Sequence, residues 1–156
     1  MRAVVQRVDG ASVVVDGNVV GSFEGPGLAV LVGVSVDDTL DVCAPMAEKI
    51  WKLRIFSSND LQAKGIAVHA DTNEVAAADA NLPVMIISQF TLYADTTRGR
   101  RPTWQQAARG DQAEPLVNEL ARALRDLGAR VETGKFGADM RITQTCDGPV
   151  TILLDL

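Results

Sequence analysis

The sequence is short of the residues that most hydrolytic and metal chemistry uses: among 156 residues it has one histidine and two cysteines. A Ser-His-Asp arrangement would rest on His69 alone, and His69 stands in a loop-like stretch where a surface role is the simpler reading. Cys43 and Cys146 lie far apart without CxxC or histidine-rich spacing, so the sequence suggests neither a zinc site nor a disulfide framework. Neither has a basic neighbour in sequence to lower its pKa, and both read as ordinary buried thiols. No glycine-rich phosphate loop follows a strand, and no HExxH motif occurs. Long apolar runs are absent too: nothing approaches the roughly 20 residues of a transmembrane helix. In "MRAVVQRV", Arg7 interrupts the opening stretch before it reaches the length of a signal peptide. These absences lead to the expectation of a reduced, cytoplasmic protein with no metal, no cofactor and no membrane partner.

What is present is ordinary for a globular chain, with 47% hydrophobic and 22% charged residues. Residues 1–156 are expected to form a single domain with a real core. The net charge of −5 argues against general affinity for nucleic acid, which clustered Lys and Arg drive. Distribution qualifies that. "RGRR" gathers Arg98, Arg100 and Arg101 in one short stretch, with Arg109 close behind. Charge patterning alone leaves two readings open, a solvated loop and a local anion-binding patch on an acidic protein.

Strand and helix signals alternate along the chain, without repeats or linkers. "ASVVVDGNVVGSF" sets Asp16-Gly17 between two valine-rich runs, which predicts a hairpin, because such turns need positive φ. Gly27 to Val34, "GLAVLVGV", is a continuous apolar run expected as a strand buried on both faces. Asp37 to Thr39 then suit a helix cap, with Leu40, Ala44, Ala47, Ile50 and Trp51 on one helical face. Pro45 either kinks this helix or delays its start by a turn. "KLRIF" reads as a short strand, residues 57 to 80 as loop with one hairpin at most, and Val84 to Tyr93 as the central strand. Asp111 and Glu114 form a capping-box pattern for a second helix, with Leu116, Leu120, Ala123, Leu124 and Leu127 on its apolar face and Gly128 at its end. Three short strands, 129–132, 140–145 and 150–154, close the chain. The expected class is mixed α/β, with β-sheets forming a partial barrel under two main covering helices.

One stretch of the central strand does not fit a plain core. In "VMIISQFTLYADTTRGRRPTW" the polar residues Ser88, Gln89 and Thr91 interrupt an apolar run that then meets the arginines. On a strand, alternation sends Gln89 and Thr91 to one face and Ser88 and Phe90 to the other. A Gln beside a Thr on a buried face suits positioning of a polar ligand; satisfying neighbouring loop backbone is the alternative. Neither side chain is a base, and Thr91 would attack as a nucleophile only if another group removed its proton. Further on, Gly148-Pro149 in "CDGPVTILLDL" reads as a turn that starts a strand, with Pro where no ladder donor is needed.

Three separated motifs, "MRAVVQRV", "SQFTLYADTTRGRRP" and "TGKFGADMRI" followed by "DGPVTILLD", together closely resemble the D-aminoacyl-tRNA deacylase family. The likeness covers essentially the whole chain, in the same order. It implies a homodimeric hydrolase, active at the subunit interface, that removes D-amino acids wrongly esterified to tRNA. It also implies that Ser88, Gln89, Phe90 and Thr91 form a catalytic wall, and that a cis Gly148-Pro149 dipeptide from the partner subunit forms a chiral gate. By the same resemblance Arg7 braces the Gly-Pro element, and Phe136 contacts the terminal adenosine with Met140 nearby. Glycyl-tRNA is expected to be cleaved as well, since glycine has no side chain to exclude. Arg98, Arg100 and Arg101 would then lie where the phosphates of the tRNA end arrive. The chain departs from the family in having Cys146 where Asn is usual, and a thiol cannot replace an amide's paired hydrogen bonds. Two rival readings stay open: a non-enzymatic RNA-binding or dimerisation module on the same fold, and a general esterase.

Overall fold

The computed structural model describes residues 1–156, the whole chain. Two long strands, β1 (Arg2–Val15) and β2 (Asn18–Gly33), form an antiparallel hairpin whose tight turn places Asp16 at φ 50° and Gly17 at φ 80°. The valine-rich runs on either side favour this, because β-branched side chains pack well on a pleated surface. β7 (Arg141–Asp155) pairs antiparallel with β1. On the other side, β5 (Val84–Ser88) runs parallel to β2, and β6 (Val131–Thr133) parallel to β5. The resulting order is β6-β5-β2-β1-β7. A second, two-stranded sheet pairs β3 (Arg54–Ser57) with β4 (Glu74–Ala76).

The class is mixed α/β as expected, and the partial barrel takes the form of a curled, open sheet. The β1–β2 register slips between Asp9 and Ala11, and beyond that slip the hairpin reaches the far edge of the sheet. There a Cβ on Gly21 would sit 2.6 Å from the backbone oxygen of Thr133 in β6. Only glycine permits so close an approach. No ladder joins the two strands, so the sheet stays open.

Both faces of the central strands are covered. Leu28, Val30, Val32, Val84 and Ile86 belong to the main core, together with buried residues of α1 (Cys43–Trp51) and α3 (Gly110–Asp126). Ala29, Met85 and Ile87 alternate with them and join Val13, Val15 and Phe23 in a smaller cluster. This two-sided burial explains why β2 and β5 read as unbroken apolar runs. None of the helices is long and apolar enough to cross a membrane.

Several elements differ from the sequence expectations, each for a physical reason. α1 begins only at Cys43, after a 3-10 turn over Leu40–Val42. Pro45 therefore falls in the first turn, where its missing N–H breaks no helical bond. The buried face becomes Cys43, Met46, Ala47, Ile50 and Trp51, while Leu40 and Ala44 are exposed. α3 starts at Gly110 without a side-chain cap, so the capping box does not form, and Leu127 is exposed at the far end. An unforeseen helix, α2 (Ser58–Ala63), is capped by Ser57, whose hydroxyl accepts from the Asp60 N–H at 3.2 Å. β5 stops at Ser88, short of Tyr93. The last two expected strands are one strand, β7, carrying an excursion in its middle.

The two thiols also part company: Cys43 is buried, but Cys146 is exposed. Burial pushes the Cys43 thiol up to about 11. Because the thiolate is the reactive species, native protein at about pH 8 should show one fast thiol with Ellman's reagent, that of Cys146. The second should appear only on unfolding. Two fast thiols would contradict the packing of α1.

Candidate active site

Ser88 ends β5 opposite Val32, and the following N–H, of Gln89, donates to the Val32 carbonyl at 2.7 Å. There the strand stops. Gln89 (φ −147°, ψ 85°) leads the chain into a 3-10 turn over Phe90–Tyr93. This turn packs so tightly on β2 that a Cβ on Gly33 would lie 3.0 Å from the Leu92 Cβ and 3.1 Å from the Gln89 carbonyl oxygen. Arg2 clamps its far end, donating to the Leu92 carbonyl at 3.0 Å, lying 4.9 Å from the Tyr93 ring centroid, and pairing with Asp155 at 2.7 Å. Burial, reinforced by Asp38 and Asp155, pushes the Tyr93 hydroxyl up to about 12. Tyr93 is thus a neutral packing residue.

Because the strand ends, Gln89 and Thr91 do not share a strand face, which corrects the alternation expected from sequence. They meet across the turn, where the Gln89 amide donates to the Thr91 hydroxyl oxygen. That bond leaves the Thr91 proton free to be donated elsewhere. The first hydrogen bond of the turn runs from the Leu92 N–H to the Gln89 carbonyl at 3.3 Å. The preceding N–H groups, of Phe90 and Thr91, therefore have no acceptor within it.

A cavity of about 400 Å³ opens beside the turn. Ser88, Gln89 and Phe90 line it together with Phe136 and Met140, and Val32, Val34, Ala113 and Val117 make much of the rest apolar. Phe136 lies against the start of α3, since a Cβ on Gly110 would sit 3.6 Å from its ring. Met140 is seated over Gly134, where a Cβ would be 2.5 Å from its sulfur. Asp139 is the one ionisable side chain in the lining. The lining has no histidine, lysine or cysteine, and the cavity is equipped to orient a ligand by shape and hydrogen bonds. No group of three or more His, Cys, Asp or Glu gathers as a metal site would require.

Arg7, Gly148 and Pro149 lie outside this cavity. Between the Gln6–Thr151 and Val8–Cys146 pairs, β1 has only Arg7 where β7 has Asp147, Gly148, Pro149 and Val150, so this segment bulges from the ladder. Gly148 and Pro149 are exposed, and the bond between them is cis. Arg7 Nε donates to the Asp147 carbonyl at 3.1 Å and pairs with its carboxylate at 3.2 Å, while Nη1 donates to the Ile55 carbonyl at 2.5 Å. From the other end, Gln6 Nε2 donates to the Val150 carbonyl at 3.1 Å, and Gln6 Oε1 accepts from the Thr151 hydroxyl. Cys146 receives only a 3.7 Å contact from Gln144 Nε2. The excursion is held by Arg7 and Gln6 instead.

Arg98, Arg100 and Arg101 form a third group, on a bend closed by paired backbone bonds between Asp95 and Thr103 at 2.8 and 3.0 Å. Within the bend, Asp95 accepts from the Thr97 N–H and hydroxyl at 2.9 and 2.7 Å, which holds its carboxyl below the ordinary range. All three arginines are exposed and none makes an ion pair. Just past the bend, Trp104 meets Phe90 edge-on, with centroids 5.6 Å apart and planes at 63°.

The structure thus brings Ser88, Gln89, Phe90, Phe136 and Met140 together, with Thr91 tied to Gln89 beside them. Sequence reasoning missed Ala113, Val117 and Asp139, and small apolar residues on a helix carry no signal of ligand contact. It also passed over Trp104, although its place directly after the arginine cluster was a signal that could have been read. His69 is exposed and takes no part in the cavity.

Residues 4–155 match the family described as D-Tyr-tRNA(Tyr) deacylase. A D-aminoacyl-tRNA deacylase of Streptomyces coelicolor is 53% identical over 156 residues, covering 100% of both chains. One of Kineococcus radiotolerans is 53% identical over 155 residues, covering 99% of each. A solved structure named c-Myc DNA Unwinding Element Binding Protein superposes with a TM-score of 0.85 at 34% identity, covering 100% of this chain and 99% of that one. With the match running through the cavity, the Gly-Pro excursion and the arginine bend alike, this chain belongs to the D-Tyr-tRNA(Tyr) deacylase family.

Proposed function

We propose that this protein is a cytoplasmic D-aminoacyl-tRNA deacylase: it hydrolyses the ester joining a D-amino acid, or glycine, to the 3′ end of tRNA and spares L-aminoacyl-tRNA. One observation carries the reading. Ser88, Gln89 and Phe90 share a cavity with Phe136 and Met140, whereas Gly148-Pro149 protrudes outside it, braced by Arg7 and Gln6. A braced, exposed dipeptide outside its own subunit's cavity suits insertion into a second copy. On this reading the active protein is a homodimer, and the partner's Gly148 and the partner's Pro149 complete the site. Exposed Ile142 and Leu153 on the edge strand β7 offer apolar surface for that pairing.

An enzyme that clears many D-amino acids must read the α-carbon, not the side chain. Backbone carbonyls of the gate hold the α-ammonium, while its bulk blocks the direction an L side chain would take. The ester is already activated by the neighbouring ribose hydroxyl and the cationic amine, so the protein's part is orientation. The free N–H groups of Phe90 and Thr91 stabilise the developing oxyanion. Gln89 orients Thr91 as a positioning group. Phe136 and Met140 hold the terminal adenosine, and Arg98, Arg100 and Arg101 lie along the phosphates. The reading calls for no cofactor. A nucleic-acid-binding module without catalysis is the second reading, favoured by the lack of a histidine, lysine or cysteine in the cavity and by the name of the 34% identical structural relative.

Purified protein incubated with D-tyrosyl-, L-tyrosyl- and glycyl-tRNA should release the D-amino acid and glycine at least about a hundredfold faster than the L-amino acid. Release of D and L alike would remove the gate but keep the hydrolase, and release of none would favour the binding module. Thr91→Ala should lower kcat about ten- to a hundredfold with tRNA affinity unchanged; complete loss would instead make Thr91 a nucleophile or acid–base group. Replacing Arg98, Arg100 or Arg101 by Glu should weaken D- and L-aminoacyl-tRNA binding equally, each removing roughly 0.7 from the slope of log K against log salt. Altered chiral selection with unchanged binding would refute the phosphate role.

A further inference from the structure

The Phe90–Trp104 pair is a feature that the reaction above leaves unused. Of the two tryptophans, Trp51 is 4% exposed, whereas Trp104 is 41% exposed and Phe90 58%. So much aromatic surface in water is costly unless something covers it. The rings meet edge-on and do not stack on one another, and both keep substantial surface in solvent. The Trp104 backbone is also held in place, flanked by the Asp95–Thr103 bridge and with its carbonyl accepting from the Ala107 N–H at 3.1 Å.

Location narrows the choice of occupant. Phe90 lines the cavity, and Trp104 follows the bend bearing Arg98, Arg100 and Arg101, which make no ion pairs. The aromatic pair therefore bridges a cavity and a row of free cations. On a protein of net charge −5, exposed ring surface beside clustered arginines has the makeup of a platform for single-stranded nucleic acid, where bases stack and phosphates meet cations. An apolar peptide would use the rings but leave the arginines without a role.

We infer that Trp104 stacks the unpaired nucleobase immediately 5′ of the terminal nucleotide, outside the cavity that receives the terminal one. The inference rests on the deacylase reading for the direction of the RNA chain. It adds a subsite that the chemistry itself does not require. Trp104 is on this view a positioning residue, which registers the RNA end so that the ester arrives beside Thr91.

The test uses the full-length protein and the uncharged trinucleotide CpCpA, followed by tryptophan emission. The trinucleotide should quench emission saturably, and adenosine alone far less. Trp104→Ala should abolish the quench and weaken trinucleotide binding about tenfold by calorimetry, while Trp104→Phe, which keeps a stacking face, should restore most of the affinity. On charged substrates, the Ala variant should raise KM more for a D-aminoacyl trinucleotide than for D-aminoacyl adenosine. Equal losses on both would overturn the inference, because Trp104 would then only prop Phe90. Absence of quenching would overturn it as well. So would emission already shielded from acrylamide in the free protein, since a second copy would then cover the ring. The quench needs no turnover: a protein that stacks the trinucleotide yet leaves its D-aminoacyl ester intact would sink the deacylase reading and support the subsite.

Discussion

A single guanidinium, that of Arg7, ties the β7 excursion to the second sheet, whose strands are not paired with β1 or β7. It rises from β1, holds the Asp147 carbonyl and carboxylate in the β7 excursion, and reaches the Ile55 carbonyl in β3. Charge-assisted bonds of this kind are each worth about 1.5–3 kcal/mol. The planar fork of Arg serves these acceptors from one head group, which the point charge of Lys cannot do with the same geometry. Without Arg7, the Asp147 end of the excursion would lose its side-chain anchors, leaving only Gln6 to hold the far end. The form of the excursion follows from this side chain at the Asp147 end and from Gln6 at the Val150 end.

The cavity obeys a different constraint. β2, β5 and β6 run parallel, and the residues at or just beyond their carboxyl ends (Val32 and Val34, Ser88 to Phe90, and Phe136 to Met140) line it with α3. Ligand sites in open α/β sheets gather at the carboxyl ends of parallel strands, because loops and helix starts converge there. The antiparallel half of the sheet presents the Gly-Pro excursion, beside a more polar opening of about 350 Å³ lined by Arg7, Asp147, Asp60 and Lys64. One curled sheet thus carries a cavity on its parallel side and a protrusion on its antiparallel side.

Much of this was legible in the sequence where local chemistry decides the outcome. The Asp16-Gly17 hairpin, the doubly buried β2 and the delaying effect of Pro45 all follow from backbone and side-chain preferences. What was not legible depended on tertiary contacts. β5 read as a strand through Tyr93 because nothing local shows that the chain must turn at Gln89, where Gly33 offers space for it. The Asp111 and Glu114 pattern is a capping box by spacing, but α3 begins one residue before Asp111, so the cap position falls on Arg109. Cys146 read as buried because thiols usually are, yet edge strand β7 leaves it in solvent. The grouping of Ser88, Gln89, Phe90, Phe136 and Met140 came from resemblance, since residues so far apart in sequence announce no common cavity on their own.

The Gly-Pro excursion is a detour inside a strand, not a loop between elements. The ladder to β1 resumes directly on either side of it, at Cys146 and at Thr151. Its two feet are therefore both tied to β1 and cannot swing independently. A protrusion built this way resembles a fixed caliper more than a closing lid, because both of its ends are tied into the ladder. The cost of such rigidity is that the excursion's position is inherited from the sheet, so a mutation far along β1 or β7 that shifts the strands moves it as surely as one at the tip.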